Sequence, residues 1–307
     1  MKLAVLFSGQ GAQFVGMGLD FIENVPELKK RMDTFSKATN LHLQSLLVDE
    51  TKINDTRYTQ PLMVAVEILI HDYLKEAYGL KVDGYLGFSL GEFSALYAAG
   101  YFSDIEIMKI IKMRAELMAD AGQNTFGKMA AILGLSDQDV EVVCEEASLK
   151  DSIVVAANYN SPGQLVISGE SDAVLRAVEL AKSKGARRAI LLNVSGAFHS
   201  PYMKDAGKKL RQFATGANIQ VADKPVYANS NARVLKQSEI LDELETQIKS
   251  PVYFKQSIEK MVQDGYSHFL EVGPGTVLSN LVKKINPELK VYNVSSYEDI
   301  QNIKEIL

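Results

Sequence analysis

The sequence predicts an α/β protein in which a parallel sheet forms a large domain and a smaller mixed unit is inserted into it. Three apolar runs, KLAVLFSG, VDGYLGFS and GYSHFLEVGPG, each reach glycine and are followed by a helical pattern. Runs without polar alternation are typical of parallel strands that are buried on both faces. Ligand sites of open parallel sheets lie at the carboxyl ends of such strands.

Long helical patterns separate these runs. TQPLMVAVEILIHDYLKEAYG predicts a helix of about five turns that begins with Thr59 and Pro61 and ends at Gly79. GEFSALYAAG and SDIEIMKIIKMRAELMADAG predict two further helices of the same style. The first part of the chain is therefore expected to form helical layers on a sheet.

The middle of the chain changes character from Gly127 onward. The successive patterns are strand KMAAILG, helix SDQDVEVVCEEAS, strands SIVVAANYN and GQLVISG, helix SDAVLRAVELAKSKG and strand ARRAILLNVS. This β-α-β-β-α-β order is that of the ferredoxin-like unit. We therefore expect a ferredoxin-like small domain at 126–195, inserted into a discontinuous large domain formed by 1–125 and 196–307, with a cleft between the two.

Composition and charge exclude several classes of protein. The 307 residues are 47% hydrophobic with a net charge of −5, and no basic run occurs, so no nucleic-acid partner is expected. The amino-terminal run is short and broken by glycine, and no stretch has the length of a bilayer span, so we expect no membrane association. The single cysteine, Cys144, excludes an internal disulfide and a cysteine zinc site. A cytoplasmic location without a metal site is the resulting expectation.

The stretch GFSLGE places Ser89 between two glycines, after a strand and before a helix. This is the pattern of the nucleophile elbow of α/β-hydrolase-like domains, in which glycines permit a sharp turn that exposes the serine hydroxyl. Backbone N–H groups at the start of the following helix can receive an oxyanion. The alternative is a structural serine that caps a helix beginning at Leu90.

A nucleophilic serine needs a base, and the chain has four histidines. His71 lies inside a helical pattern, His42 lies in a leucine-rich segment, and His268 opens a strand at the opposite end from the expected site. His199 lies in the loop SGAFHSPYM, after the inserted unit and before a helix, where a base would face the cleft. No acidic residue stands out between Ser89 and His199, so we expect a Ser-His dyad oriented by a neutral acceptor, which disfavours an ordinary esterase.

Several motifs together resemble one enzyme family. FSGQGAQ from Phe7, GFSLGE around Ser89, MRAELM around Arg114, ANYNSPGQLVISG, GAFHSPYM around His199 and EVGPG follow one another over nearly the whole chain. In this order they resemble the malonyl-CoA:acyl carrier protein transacylases of type II fatty acid synthesis, which are similar to the acyltransferase domains of polyketide synthases.

The resemblance implies roles for particular residues. Ser89 would be the nucleophile that carries the malonyl ester, and His199 would be the base and later the acid. The backbone N–H groups of Gln10 and Leu90 would form the oxyanion hole. Gln247, in TQIKSPV, matches the position whose main-chain carbonyl orients the histidine.

Arg114 interrupts an apolar helical pattern, so one interpretation is a surface arginine with a buried stem. The resemblance implies instead that its guanidinium binds the free carboxylate of malonate in a bidentate pair.

The resemblance also bears on the walls of the site. Phe198, in GAFH, would narrow the pocket beside the histidine and favour malonyl over methylmalonyl groups, although Gly196 departs from the HAFH signature. Asn158 and Gln164 would line the small-domain side of the cleft, or would only form a turn. Phe88 and Ser8 stand where many members carry histidine and proline. The sequence therefore does not determine the shape of the cleft mouth.

The implied reaction is a ping-pong transfer from malonyl-CoA to the phosphopantetheine thiol of holo acyl carrier protein, with no metal or redox cofactor. The partner is acidic in this family's systems, so a local basic surface is expected, with a monomeric enzyme. The candidates for that surface are Lys182, Arg187, Arg188, Lys204 and Lys208.

Three alternatives remain at this stage. A serine thioesterase or esterase would use the same elbow, and a polyketide-pathway acyltransferase would use the same chemistry. A carrier-docking module without catalysis is a third possibility, which the joint presence of Ser89, His199 and Arg114 disfavours.

Overall fold

The computed structural model describes residues 2–194 and 196–307, without the side chains of Asn124 and Thr125. In chain order, the strands β1 to β9 are Leu3–Phe7, Gly84–Gly87, Gly127–Leu133, Val154–Ser161, Gln164–Glu170, Arg188–Leu191, Val226–Tyr227, His268–Val272 and Lys290–Val294. The helices α1 to α12 are Leu19–Asn24, Pro26–Thr39, Leu43–Leu47, Thr56–Tyr78, Gly91–Ala98, Asp104–Thr125, Asp137–Ala147, Ser171–Ser183, Lys204–Ala214, Ile240–Lys249, Phe254–Gln263 and Val277–Ile285. Short 3₁₀ helices cover Pro201–Met203, Gln237–Glu239 and Glu298–Ile303.

The larger sheet is parallel throughout. Within the described residues its strand order is β7-β2-β1-β8-β9, and every neighbouring pair runs in the same direction. All five residues of β1 are buried, because helices cover both faces of the sheet. The continuous apolar runs of the sequence therefore do form central parallel strands. Their carboxyl ends bring the loops after β1, β2 and β8 to one edge.

The smaller sheet is antiparallel and has the strand order β4-β5-β3-β6. Its apolar face packs against α7 and α8 in a separate core that includes Ile132, Val143, Ile167 and Val174. This is the ferredoxin-like arrangement, and the predicted fold class is confirmed. The domain limits at 126–195 stay a prediction, and their last residue, Ser195, lies outside the described residues.

Helix α4 differs from its predicted bounds. It begins at Thr56, because the carboxylate of Asp55 accepts a hydrogen bond from the backbone N–H of Arg57 and caps it. The predicted start at Thr59 is therefore wrong by about one turn, and Pro61 lies inside the helix. None of the helices in the described part of the chain has both the length and the apolar composition of a membrane span.

The segment between α10 and α11 joins the two sheets. The backbone of Val252 donates to the carbonyl of Ala157 at 2.8 Å and accepts from the N–H of Tyr159 at 2.9 Å. Strand β4 is thereby held against the large domain by backbone hydrogen bonds. This contact places the inner face of the small sheet opposite the carboxyl edge of the parallel sheet.

Candidate active site

Ser89 occupies the turn between β2 and α5 and has a left-handed backbone with φ of 52°. Glycine is required on both sides of Phe88-Ser89-Leu90, because other backbone atoms lie too close there to admit a Cβ. A Cβ on Gly87 would lie 1.9 Å from the backbone carbon of Gly91, and a Cβ on Gly91 would lie 2.2 Å from the carbonyl oxygen of Phe7. Any side chain at either position would collide with backbone, so the G-x-S-x-G spacing is a geometric requirement of this turn.

The hydroxyl of Ser89 does not cap the helix. The N-cap of α5 is Leu90, and no side-chain hydrogen bond is made there. The Oγ atom lies instead 2.7 Å from Nε2 of His199, 110 residues away in the chain. The interpretation of Ser89 as an N-cap is therefore wrong.

His199 is oriented by main-chain carbonyls. Its Nδ1 atom lies 2.9 Å from the carbonyl oxygen of Gln247 and 3.2 Å from that of Ser250. Carbonyl oxygens only accept hydrogen bonds, so Nδ1 carries the proton and Nε2 is left to accept the proton of Ser89. Burial lowers the pKa of His199 to about 4, and the positive charge of Arg114 acts in the same direction. The ring is therefore a neutral base at physiological pH.

The other histidines have different surroundings. His71 is buried in α4, between the carboxylate of Asp72 at 2.8 Å and the hydroxyl of Tyr85 at 3.1 Å. His42 is an exposed N-cap of α3, and His268 begins β8. Of the four histidines, the structure brings only His199 within hydrogen-bond distance of the serine hydroxyl.

Arg114 is buried on α6 with 1% of its surface exposed. One terminal nitrogen, Nη2, donates to Ser89 Oγ at 3.1 Å, and Nη1 donates to Oε1 of Gln60 at 2.7 Å. Its guanidinium also lies over the ring of Phe93, 5.0 Å from the centroid. The interpretation as a surface arginine is wrong. Burial lowers the pKa of Arg114 to about 9, while the nearby Glu92 acts to raise it. The guanidinium therefore stays charged at neutral pH.

Two glutamines of the site have functions that the sequence did not reveal. The side chain of Gln247 accepts from Arg114 at 2.9 Å and donates to the carbonyl oxygen of Ser89 at 2.6 Å, in addition to its main-chain contact with the histidine. Gln60 lies in α4 beside Pro61 and holds the other end of Arg114. Nothing in the sequence of α4, which contains several other polar residues, singles out Gln60.

A cavity of about 290 Å³ opens over Ser89, His199 and Arg114. The residues around it include Met129, Asn158 and Gln164 from the antiparallel sheet, Gln10 and Phe198 from loops and Leu281 from α12. The cavity therefore lies in the cleft between the parallel and antiparallel sheets.

The backbone N–H groups of Gln10 and Leu90 donate to no acceptor in the described part of the chain. Gln10 lies on the loop after β1 and Leu90 on the loop after β2, so both donors belong to the same edge of the sheet. The N–H of Ser89 itself is occupied by the side chain of Asn229 at 2.7 Å. The two free N–H groups are candidates for an oxyanion site.

Phe88 and Ser8, the two residues that depart from the family pattern, both make defined contacts. Phe88 lines the cavity and packs against Phe254, with ring centroids 5.5 Å apart. Ser8 is buried and donates its hydroxyl to Glu67 at 2.9 Å. Neither side chain contacts the Ser89 hydroxyl by a hydrogen bond within the described residues.

The chain matches the acyl transferase domain family over residues 5–302. A malonyl CoA-acyl carrier protein transacylase of Bacillus subtilis strain 168 is 41% identical over 303 residues, which cover 98% of this chain and 95% of the relative. The crystal structure of MCAT from Streptococcus pneumoniae has a TM-score of 0.95 at 39% identity and covers 100% of both chains.

A malonyl transacylase solved in complex with its type II polyketide synthase acyl carrier protein has a TM-score of 0.95 at 32% identity, over 99% of each chain. Sequence similarity, fold similarity and the serine, histidine and arginine at one cavity point in the same direction. The chain therefore belongs to the acyl transferase family and, within it, to the malonyl-CoA:acyl carrier protein transacylases.

Proposed function

We propose that this chain transfers the malonyl group of malonyl-CoA to the phosphopantetheine thiol of holo acyl carrier protein and supplies malonyl carrier protein for fatty acid synthesis. The observation that carries the proposal is Ser89 Oγ, which lies 2.7 Å from His199 Nε2 and 3.1 Å from Arg114 Nη2 at the cavity. The names of the relatives support the same substrates.

In the first half-reaction His199 takes the hydroxyl proton as Ser89 attacks the thioester carbonyl. The negative charge that develops on the carbonyl oxygen is stabilised by the N–H groups of Gln10 and Leu90, each worth roughly 3 kcal/mol in acyl transfer. The C–S bond then breaks, and the thiolate of CoA takes the proton from His199. The product is a malonyl ester on Ser89 and free CoA.

In the second half-reaction the carrier thiol gives its proton to His199 and attacks the ester. The C–O bond breaks, and the serine oxygen recovers a proton from the histidine. Both steps use one neutral base, so the proposed reaction needs neither a metal nor a redox cofactor.

Arg114 would select the donor by its charge. Of its five N–H donors three are used by Gln60, Ser89 and Gln247, and the buried Nε–H has no acceptor in the described part of the chain. A malonyl carboxylate would supply a charged partner for the guanidinium, and an acetyl group would not. Removal of one partner from such a buried pair costs about 3–5 kcal/mol, which is more than a hundredfold in rate. Phe198 would limit the space for an α-substituent.

The partner surface and the location stay predictions. Lys182, Arg187, Arg188, Lys204 and Lys208 are all exposed, as a docking surface for an acidic partner requires. These five residues would then form a local positive surface on a protein whose net charge is negative. We also propose that the protein is monomeric and cytoplasmic.

The decisive experiment is the intact-protein mass after separate mixing with malonyl-CoA and acetyl-CoA, followed by addition of holo carrier protein, with Ser89→Ala as the control. We expect a malonyl adduct that requires Ser89 and moves to the carrier thiol. Release of free malonate with no adduct would favour the thioesterase instead. Equal loading of acetyl would contradict the role of Arg114.

A further inference from the structure

Asn229 follows β7 and spans the turn that carries Ser89. Its Oδ1 atom accepts a hydrogen bond from the backbone N–H of Ser89 at 2.7 Å, and its Nδ2 atom donates to the carbonyl oxygen of Gly87 at 2.7 Å. The side chain is 1% exposed, so both bonds form away from water. One amide thus binds the turn on both sides of Phe88.

The turn needs such a partner. Ser89 has φ of 52°, a conformation that a residue with a side chain adopts only when its surroundings impose it. The last strand residue, Gly87, and the serine both present main-chain groups toward the β7 side. A carboxamide has one acceptor and one donor, which match the N–H of Ser89 and the carbonyl of Gly87.

The main chain of Asn229 is itself fixed from two directions. Its N–H donates to Oε1 of Glu92, on α5, at 2.9 Å, and its carbonyl accepts from the N–H of Tyr253 at 2.9 Å. The next residue, Ser230, is held by the carboxylate of Glu243 on α10. The amide therefore has little freedom to leave the turn.

The contact also decides which N–H groups face the substrate. Because Asn229 occupies the N–H of Ser89, that group cannot serve an oxyanion, and the N–H of Leu90 is left as the free donor of the turn. We propose that Asn229 is a positioning residue that holds the nucleophile turn in its left-handed conformation and thereby directs Ser89 Oγ to His199 and the N–H of Leu90 to the oxyanion. The inference rests on the proposed role of Ser89 as the nucleophile.

The test compares the wild type with Asn229→Asp and Asn229→Ala. The rate constant of Ser89 acylation by malonyl-CoA is measured in a single turnover by rapid quench and intact mass, from pH 5 to pH 8 and over a range of donor concentrations. For Asn229→Ala we expect a rate constant about 10- to 100-fold lower with a nearly unchanged half-saturating concentration, because the turn loses two buried hydrogen bonds.

Asn229→Asp provides a signature that a merely structural role would not produce. A protonated carboxyl can accept from Ser89 and donate to Gly87 as the amide does, whereas a carboxylate cannot donate and adds negative charge beside the oxyanion. The variant-to-wild-type rate ratio should therefore rise as the pH falls. Glu92, Glu243, His199 and Arg114 lie near the turn in both proteins. A carboxylate at position 229 would also raise the pKa of His199, but that would lower the ratio at acid pH, opposite to the rise expected here.

Asn293→Asp is the matched control. The amide of Asn293, on β9, also donates to a backbone oxygen, that of Gly275 at 2.8 Å, and we expect a pH-independent ratio near one. Circular dichroism and thermal unfolding report the folded fraction of each variant. The inference would be overturned if both Asn229 variants were acylated at the wild-type rate, or if the variant-to-wild-type rate ratio of Asn229→Asp did not change with pH.

A fluorophosphonate that modifies nucleophilic serines separates this inference from the proposed function. Its reaction rate with Ser89 should fall in the Asn229 variants as the acylation rate does. If the wild type reacts with the probe but not with malonyl-CoA, the malonyl function fails and the effect of Asn229 on Ser89 is still measured.

Discussion

His199 shows how the surroundings of one residue set its chemistry. Its Nδ1 proton is held by two backbone carbonyls and not by a carboxylate, so no negative charge raises the basicity of the ring. Burial and the charge of Arg114 both lower its pKa, to about 4. The histidine is thus kept neutral and ready to accept a proton from Ser89 at any pH well above 4.

This arrangement predicts a coupling between Arg114 and His199. Replacement of Arg114 by methionine removes a nearby positive charge that disfavours the protonated ring, so the pKa of His199 should rise from about 4. The measurement is an NMR titration of the histidine ring signals, which are few because the chain has four histidines. The acid limb of the acylation rate should move to higher pH in the same variant.

Arg114→Lys is the matched control, since it keeps the charge but not the planar fork. Its His199 titration should stay near that of the wild type, while malonyl loading falls. An unchanged titration in Arg114→Met would contradict the electrostatic coupling.

At the scale of elements, the site depends on how closely β2 and α5 approach each other. The helix begins directly after the serine turn, and the backbone of Gly91 lies against the carbonyl of Phe7 in β1. Helix α10 contributes as a unit, because Gln247 contacts Ser89, Arg114 and His199 while Glu243, one turn earlier, holds Ser230. A small displacement of α5 or α10 would therefore disturb several groups of the proposed site at once.

The glycines of the turn give a direct test of this packing. In Gly87→Ala the new methyl group would lie 2.0 Å from the backbone nitrogen of Glu92, and backbone cannot move aside as a flexible side chain can. We expect a loss of about 3 kcal/mol or more in the free energy of unfolding. Gly216→Ala, where nothing lies within 4 Å of the new atom, should change it by less than about 0.5 kcal/mol. Urea unfolding of both variants checks the difference, and equal stability would contradict the close packing.

At the scale of the whole molecule, the cleft exists because two sheets meet through the segment around Val252. The loops of the parallel sheet carry the proposed nucleophile and the candidate oxyanion donors, and the antiparallel sheet provides the opposite wall with Asn158 and Gln164. The exposed Arg187 and Arg188 lie at the beginning of β6 on the small sheet. A carrier that docks there would approach the cleft from its small-domain side.

Reversal of these two charges should affect only the second half-reaction. For Arg187→Glu/Arg188→Glu we expect kcat/KM for holo carrier protein to fall by about tenfold at low salt and less at high salt, with unchanged acylation by malonyl-CoA. The control is Lys29→Glu/Lys30→Glu, which reverses the same amount of charge at exposed positions on α2. Equal effects of the two double variants would indicate a general charge effect and contradict a specific docking surface.

The sequence by itself determined those features that depend on local spacing. Continuous apolar runs fixed the parallel strands, the β-α-β-β-α-β order identified the small sheet, and two glycines around Ser89 identified the turn, because each of these patterns reports short-range backbone geometry. The motifs also identified His199 and Arg114 as candidates. They could not show that Arg114 is buried, nor that α4 begins at Thr56.

Only the tertiary structure decided which distant groups meet. Ser89 and His199 are 110 residues apart, and the amides of Gln60, Asn229 and Gln247 come from three further elements. Nothing in the local sequence distinguishes Gln60 and Asn229 from ordinary polar residues, and the motif around Gln247 implied only a main-chain role, because the function of these side chains depends on partners that folding supplies. The low pKa of His199 has the same origin, since burial and a neighbouring charge are properties of the folded molecule.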